Sequence, residues 1–140
     1  MSVEAALLDT NILILQSEID PEVLPAQLAI STITLAELSA GVHQVDENAP
    51  DAAAERARRL DVLQRSENTF DPIPFDAPAA RMYGRMAAAV KAIGRSPRRR
   101  TADLMIAAVA AVNNLPLCTT NPDDYTGLDS LLAVIPVPRP

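Results

Sequence analysis

Short apolar runs alternate along the chain with longer segments in which apolar residues recur every three or four positions. The runs AALLD (5–9), LAIST (28–32), LPLCTT (115–120) and LAVIPV (132–137) predict buried strands, with Leu7, Leu8, Ala29, Ile30, Leu117 and Cys118 inside. FDPIPFD (70–76) predicts a further short strand, confined to an edge by its prolines. TNILILQSE continues from the first strand as a helix, and PEVL makes a turn of helix at most. TLAELSAGVHQ (34–44) predicts a helix capped by Thr34. From Asp51, DAAAERARRLDVLQRSE predicts a helix rich in Ala, Arg, Glu and Leu. APAARMYGRMAAAVKAIG (77–94) predicts a long helix that gathers Ala79, Met82, Tyr83, Met86, Val90 and Ile93 on one face. RSPRRR (95–100) reads as a basic loop, and TADLMIAAVAAVNN (101–114) as a helix apolar nearly all round, hence buried. NPDDYTGL reads as a turn with a short helix, and PRP as a stiff tail. Apolar strands alternating with helices imply an α/β fold with a mainly parallel central sheet covered on both faces.

The length of 140 residues fits one domain over 1–140, with loose ends at 1–4 and 138–140. No apolar run reaches the roughly 18 residues of a membrane helix. The start, MSVEAALLDTN, lacks a basic region and a small-residue cleavage pattern, which predicts a cytoplasmic protein. A net charge of −6 argues against nucleic-acid binding through a global positive field, and leaves room for a local basic patch. Aromatic residues at 3% oppose a base-stacking platform. Cys118 has no second cysteine to pair with, and His43 is the single histidine. Any chemistry therefore has to run on carboxylates, hydroxyls and arginines.

In an open α/β sheet, ligands collect beyond the carboxyl ends of the strands. Asp9 ends the first strand, Glu37 lies early in the helix after the second, and Asp103 opens the buried helix before the 115–120 strand. Asn121 follows that strand, with Asp123 and Asp124 just beyond. Each has an ordinary structural reading: Asp9 as a helix cap, Glu37 as the far half of a capping box in TLAE, Asp103 as a partner of the helix dipole, Asn121 in an Asn-Pro turn. Brought to one edge, the acids repel and call for a cation. Oxygen ligands of this kind suit Mg²⁺ or Mn²⁺. Arg98, Arg99 and Arg100, beside Asp103, either pair with acids or contact phosphate.

Four blocks, LLDTNILI, STITLAELSAGV, RRRTADLMIAAVA and LCTTNPDDY, occur in the order and spacing of PIN-domain proteins. In detail the chain resembles the VapC-type toxins of bacterial toxin–antitoxin pairs, over essentially its whole length. The resemblance implies a three-layer α/β/α PIN domain acting as a Mg²⁺- or Mn²⁺-dependent endoribonuclease. It carries the family's acids onto Asp9, Glu37 and Asp103 as catalytic and metal-holding residues. The fourth family position, often Asp, is Asn121 here, and Asp124 is a substitute. Thr10 and Thr120 fall beside the acids, where they can hydrogen-bond them or RNA. The resemblance further implies a homodimer, a VapB-type antitoxin whose tail covers the acidic pocket, and no small-molecule cofactor beyond the metal. The 34–65 region, where Ala57, Leu60 and Leu63 need cover, is the expected self-association surface.

The expected chemistry is phosphodiester hydrolysis by metal-activated water. Asp9 and Asp103 would hold the metal, Glu37 would orient the water or hold a second ion, and Arg98 to Arg100 would neutralise the RNA backbone. Asp9, Glu37 and Asp103 are expected to converge within reach of one hydrated Mg²⁺. The alternative is a catalytically silent module whose acidic pocket binds a basic partner peptide. An acid-cluster phosphatase is disfavoured, because Asn11 stands where a second Asp would be needed.

Overall fold

The structure, a computed structural model, describes residues 4–140. The first three residues of the expected loose start lie outside the described residues. Strands β1 (Ala5–Leu8), β2 (Gln27–Ala29), β3 (Leu117–Thr119) and β4 (Val134–Pro136) form one parallel sheet in the order β2-β1-β3-β4. The helices are α1 (Thr10–Ile14), α2 (Thr32–His43), α3 (Ala52–Thr69), α4 (Ala77–Ala92) and α5 (Thr101–Val112).

Successive residues of a strand face opposite ways, and β1 divides the core accordingly. Leu7 joins Leu117 and the inner faces of α4 and α5, including Met86, Val90, Leu104 and Ala108. Ala6 and Leu8 join Cys118, Ile12, Leu13 and Leu38, with Val62 and Leu63 of α3 packed against them. The sheet is thus covered on both faces, the α/β/α layering the sequence predicts. Ile106 to Ala110 are completely buried, as an all-apolar helix requires. Ala29 is only partly buried, because β2 is an edge strand. Burial pushes the Cys118 thiol up to about 11, the state of an inert packing residue.

Several boundaries differ from the sequence reading. The cap of α2 is Ser31, whose hydroxyl accepts the Thr34 N–H at 3.2 Å. Ser31 has the extended backbone a cap requires (φ −98, ψ 162), and Thr34 is buried a turn inside the helix. The expected 70–76 strand shrinks to one bridge between Ile73 and Ser31. Pro72 and Pro74 flank Ile73 and have no N–H to extend a ladder. The expected basic loop is a 3-10 turn over Pro97–Arg100, and a second such turn spans Pro122–Tyr125. Asn114, at φ 55, takes the left-handed conformation that turns the chain from α5 toward β3. The tail at 138–140 is exposed, with Arg139 donating to Asn121 Oδ1 at 3.2 Å. Among the described residues no helix is long and apolar enough to cross a membrane.

The close approach of α5 to the sheet depends on its alanines. Ala107→Leu should cost about 1–3 kcal/mol by overpacking, while Ala54→Leu on the exposed face of α3 should stay within about 0.5 kcal/mol of the parent. Urea denaturation of both variants checks this; equal midpoints would show that α5 is not packed as described.

Candidate active site

The carboxyl edge of the sheet is organised around Asp9. The register pairs Leu7 with Leu117 and Leu8 with Cys118, so Asp9 falls level with Thr119. The Asp9 N–H continues the ladder to the Cys118 carbonyl at 2.9 Å. Side chains level with each other point the same way, and the Thr119 hydroxyl donates to Asp9 Oδ2 at 2.8 Å. That hydroxyl also accepts the Asn121 N–H at 3.0 Å, which leaves its proton for Asp9. The Thr10 N–H donates to Asp9 Oδ1 at 2.8 Å. Asp9 therefore does cap α1, and it does so while 3% exposed. Burial pushes its carboxyl above the usual range; the Thr119 hydroxyl, the nearby Tyr125 hydroxyl and the Thr10 N–H pull it back, and Asp124 adds repulsion.

A second chain of hydroxyls fixes Glu37. The Thr10 hydroxyl donates to Glu37 Oε1 at 2.7 Å and lies 3.0 Å from the Thr34 hydroxyl. Thr10 has one proton, and it goes to the carboxylate, so Thr34 donates to Thr10. The capping box suggested by TLAE is not made: Glu37 reaches across to α1 instead of back to Thr34.

Asp103 occupies the first turn of α5. Its carboxyl is pushed up to about 7, first by burial, then by the charges of Asp9, Asp124 and Glu37, against the pull of Arg100. Arg100 itself pairs with Asp124 at 3.0 Å.

Asp9, Thr10, Glu37 and Asp103 line one cleft of about 580 Å³. Its far wall comes from α3, with Arg58, Arg59 and Arg65. The composition of α3 predicts a helix, with a self-association face at Ala57, Leu60 and Leu63, and gives no sign that these arginines face the acids. Each is held by an acid of its own helix: Arg58 and Arg59 by Glu55, Arg65 by Asp61. Arg59 also donates to the Gly41 carbonyl at 2.7 Å, tying α3 to α2. Arg98, Arg99 and Arg100 do not line this cleft, and neither do Asn121 and Asp124. The Thr120 hydroxyl is buried without a hydrogen-bond partner; Thr119 is the residue that meets Asp9. The signal for Thr119 was the strand register, which cannot be read from either segment alone.

The expected convergence on a single point is not found. Among the described residues, no three acidic, histidine or cysteine side chains stand together at spacing for one ion. Glu37 is tied instead to Thr10, the residue next to Asp9, through a hydroxyl that takes up its Oε1. A closed cage of protein ligands is thus absent among the described residues. The donor set still fits a hard cation that keeps several waters and binds through one or two carboxylates. Its oxygens are all from carboxylates and hydroxyls, and the repulsion felt by Asp103 is the repulsion such an ion removes.

The PIN domain family model matches residues 6–128. Ribonuclease VapC5 of Mycobacterium tuberculosis (strain ATCC 25618 / H37Rv) is 38% identical over 136 residues, covering 93% of this chain and 92% of the relative. The crystal structure of VapBC-5 from Mycobacterium tuberculosis, a member of the VapBC family of toxin–antitoxin systems, contains a chain similar at TM-score 0.78. That chain is 35% identical, with 96% of this chain and 98% of that one covered. A chain of VapBC2 from Rickettsia felis, bound to a DNA fragment from their promoter, shares the fold at TM-score 0.71 and 24% identity, over 95% of this chain and 98% of that one.

The charge cluster makes a prediction about the metal-free protein. Asp103 titrates higher folded than at its ordinary 3.8, so unfolding releases a proton. Stability should therefore fall as pH rises from about 4 to about 7, and Asp103→Asn should remove that loss. In denaturant titrations with EDTA, the variant should gain roughly 1–2 kcal/mol over the parent at pH 8 and little at pH 4.5, the full shift being discounted for partial exposure. A variant less stable than the parent at pH 8 would assign Asp103 to the helix terminus alone.

Proposed function

The chain belongs to the PIN-domain family, among its VapC-type members, and on that premise we propose that it is a ribonuclease toxin of a VapB-partnered pair, hydrolysing RNA phosphodiester bonds with Mg²⁺ or Mn²⁺. The observation that carries the reading is the pair Asp9 and Asp103. They come from different elements, Asp9 buried and Asp103 half-buried where the charge of Asp9 repels it, and among the described residues neither is ion-paired to a basic side chain. A silent pocket for a basic peptide has no comparable need to bury them.

Asp9 and Asp103 would hold the ion. When bound, the cation supplies an activated water and offsets charge on the phosphate. Asp9 is kept in one orientation by its donors at Oδ1 and Oδ2. Glu37 has Oε1 engaged by Thr10, which leaves Oε2 to take the proton of the attacking water. Asn121 and Asp124 rank behind, since Arg139 and Arg100 hold their side chains. Arg58 and Arg65 face the acids across the cleft, and their exposed pairs with Glu55 and Asp61 are weak enough to be exchanged for RNA phosphates. Arg98, Arg99 and Arg100 would extend the phosphate path beyond the cleft; Thr10 and Thr120, expected to contact RNA, are placed otherwise, the Thr10 hydroxyl being taken by Glu37 and Thr34 and the Thr120 hydroxyl being buried.

The antitoxin would cover the acidic cleft with a basic tail. A homodimer would use the α2–α3 surface, where Leu60 is 40% exposed; Leu63, expected to need a partner, is already packed in the core.

The test is cleavage of total RNA by the purified protein with Mg²⁺ or Mn²⁺. Asp9→Asn and Asp103→Asn should abolish cleavage, and Glu37→Gln should slow it by about 10²–10⁴-fold. If all three cleave like the parent and Mg²⁺ leaves every thermal melt unchanged, the assignment is wrong.

The two arginine groups separate in binding experiments at varied salt. Arg58→Gln with Arg65→Gln, and in a second protein Arg98→Gln with Arg99→Gln, should each weaken binding across RNA sequences. Each should also reduce the salt slope by about 0.7 per lost phosphate contact. An unchanged slope in either protein removes that group from the RNA path.

A further inference from the structure

Tyr125 is the largest fully buried side chain among the described residues, 1% exposed at the end of the 3-10 turn after β3. It packs in the same cluster as Leu7 and Leu104. Leu7 shares a face of β1 with Asp9, and Leu104 follows Asp103, so this ring lies directly behind the acidic site. A phenylalanine would fill the same apolar space. The hydroxyl is the extra group, and it is buried without a hydrogen bond of good geometry to any atom. It nevertheless lies beside the Asp9 carboxylate, which it stabilises as an anion. An unpaired hydroxyl in a core is a cost that packing does not explain.

Asp9 has room for this group. Oδ1 takes the Thr10 N–H and Oδ2 the Thr119 hydroxyl, and each oxygen keeps a second lone pair. We propose that Tyr125 is a positioning residue, a third donor to Asp9 that fixes which carboxylate lone pairs are presented to a divalent cation. The inference rests on the metal-dependent reading above, and it assigns to the chain a residue that acts on the ion through Asp9. Groups that orient a metal-holding side chain from behind contribute to affinity although they never touch the ion.

Mn²⁺ titration of the purified protein, by calorimetry or by loss of the free-ion EPR signal, tests the assignment on Tyr125→Phe, with Tyr83→Phe as the control phenol. Tyr125→Phe should weaken Mn²⁺ binding about 10-fold, with the melt in EDTA no lower than that of the parent, because the phenylalanine ring fills the same apolar space. Excess Mn²⁺ should restore its cleavage, and Tyr83→Phe should bind as the parent does. Equal affinity of Tyr125→Phe and parent, or a lowered EDTA melt that excess Mn²⁺ does not compensate in cleavage, overturns the positioning role while leaving the nuclease reading intact. A parent that binds no Mn²⁺ overturns both.

Discussion

A carboxylate removed from water at the end of a buried strand is the constraint on which the structure turns. Asp9 is tolerated there because Thr119, 110 residues away, donates to it, and because the next peptide N–H donates as well. The first donor exists only if β1 and β3 are parallel neighbours in one register. A slip of one residue would turn Thr119 to the opposite face and leave Cys118 against the acid. The same register sends Leu7 and Leu117 into the α4–α5 side of the core and Leu8 and Cys118 into the other. Site and core are therefore specified together.

The rest of the edge keeps positive side chains away from the acids. Arg100 stands next to the first turn of α5, yet its guanidinium is taken by Asp124. Glu55 takes Arg58 and Arg59, and these hydrogen bonds hold its own carboxyl below the usual range. Asp61 takes Arg65. Hydroxyls and amides, which carry no net charge, serve Asp9 and Glu37 instead. Neutral donors orient a carboxylate without cancelling it, so the cleft keeps a concentrated negative potential opposite a wall whose own charges are balanced.

The sheet and its flanking helices were legible because each rests on a local pattern, and so was the gathering of Asp9, Glu37 and Asp103 along one cleft. A run such as AALLD or an all-apolar segment such as TADLMIAAVA has one physically sensible burial. What was not legible depends on which segments meet. TLAE satisfies the rule for a capping box, but the preceding Ser31 was better placed as cap and left Thr34 and Glu37 to reach for Thr10. Thr119 and Thr120 look equivalent in LCTTN; the strand register alone decides that Thr119 meets Asp9. Arg58 and Arg65 sit in a helix whose surface charges look ordinary until α2 and α3 close around the cleft. Pro72 and Pro74 argued correctly against a central strand, and their effect went further, to a single bridge.

Two of the acids stand at helix starts, Asp9 as the cap of α1 and Asp103 in the first turn of α5. Helix N-termini carry roughly half a positive charge each, and the effect fades within a turn. Those partial charges favour the carboxylates, so the structural and functional readings of these residues are not rivals. Capping explains why a carboxylate can be placed at each position. It does not explain the sum. The α1 helix is only five residues long, and Asp103 remains pushed up to about 7 despite its place at a helix start and the nearby Arg100. Backbone dipoles and a borrowed guanidinium therefore leave an uncompensated negative charge. That residual charge, left at the carboxyl edge by every group the chain itself supplies, is what the proposed divalent cation would offset.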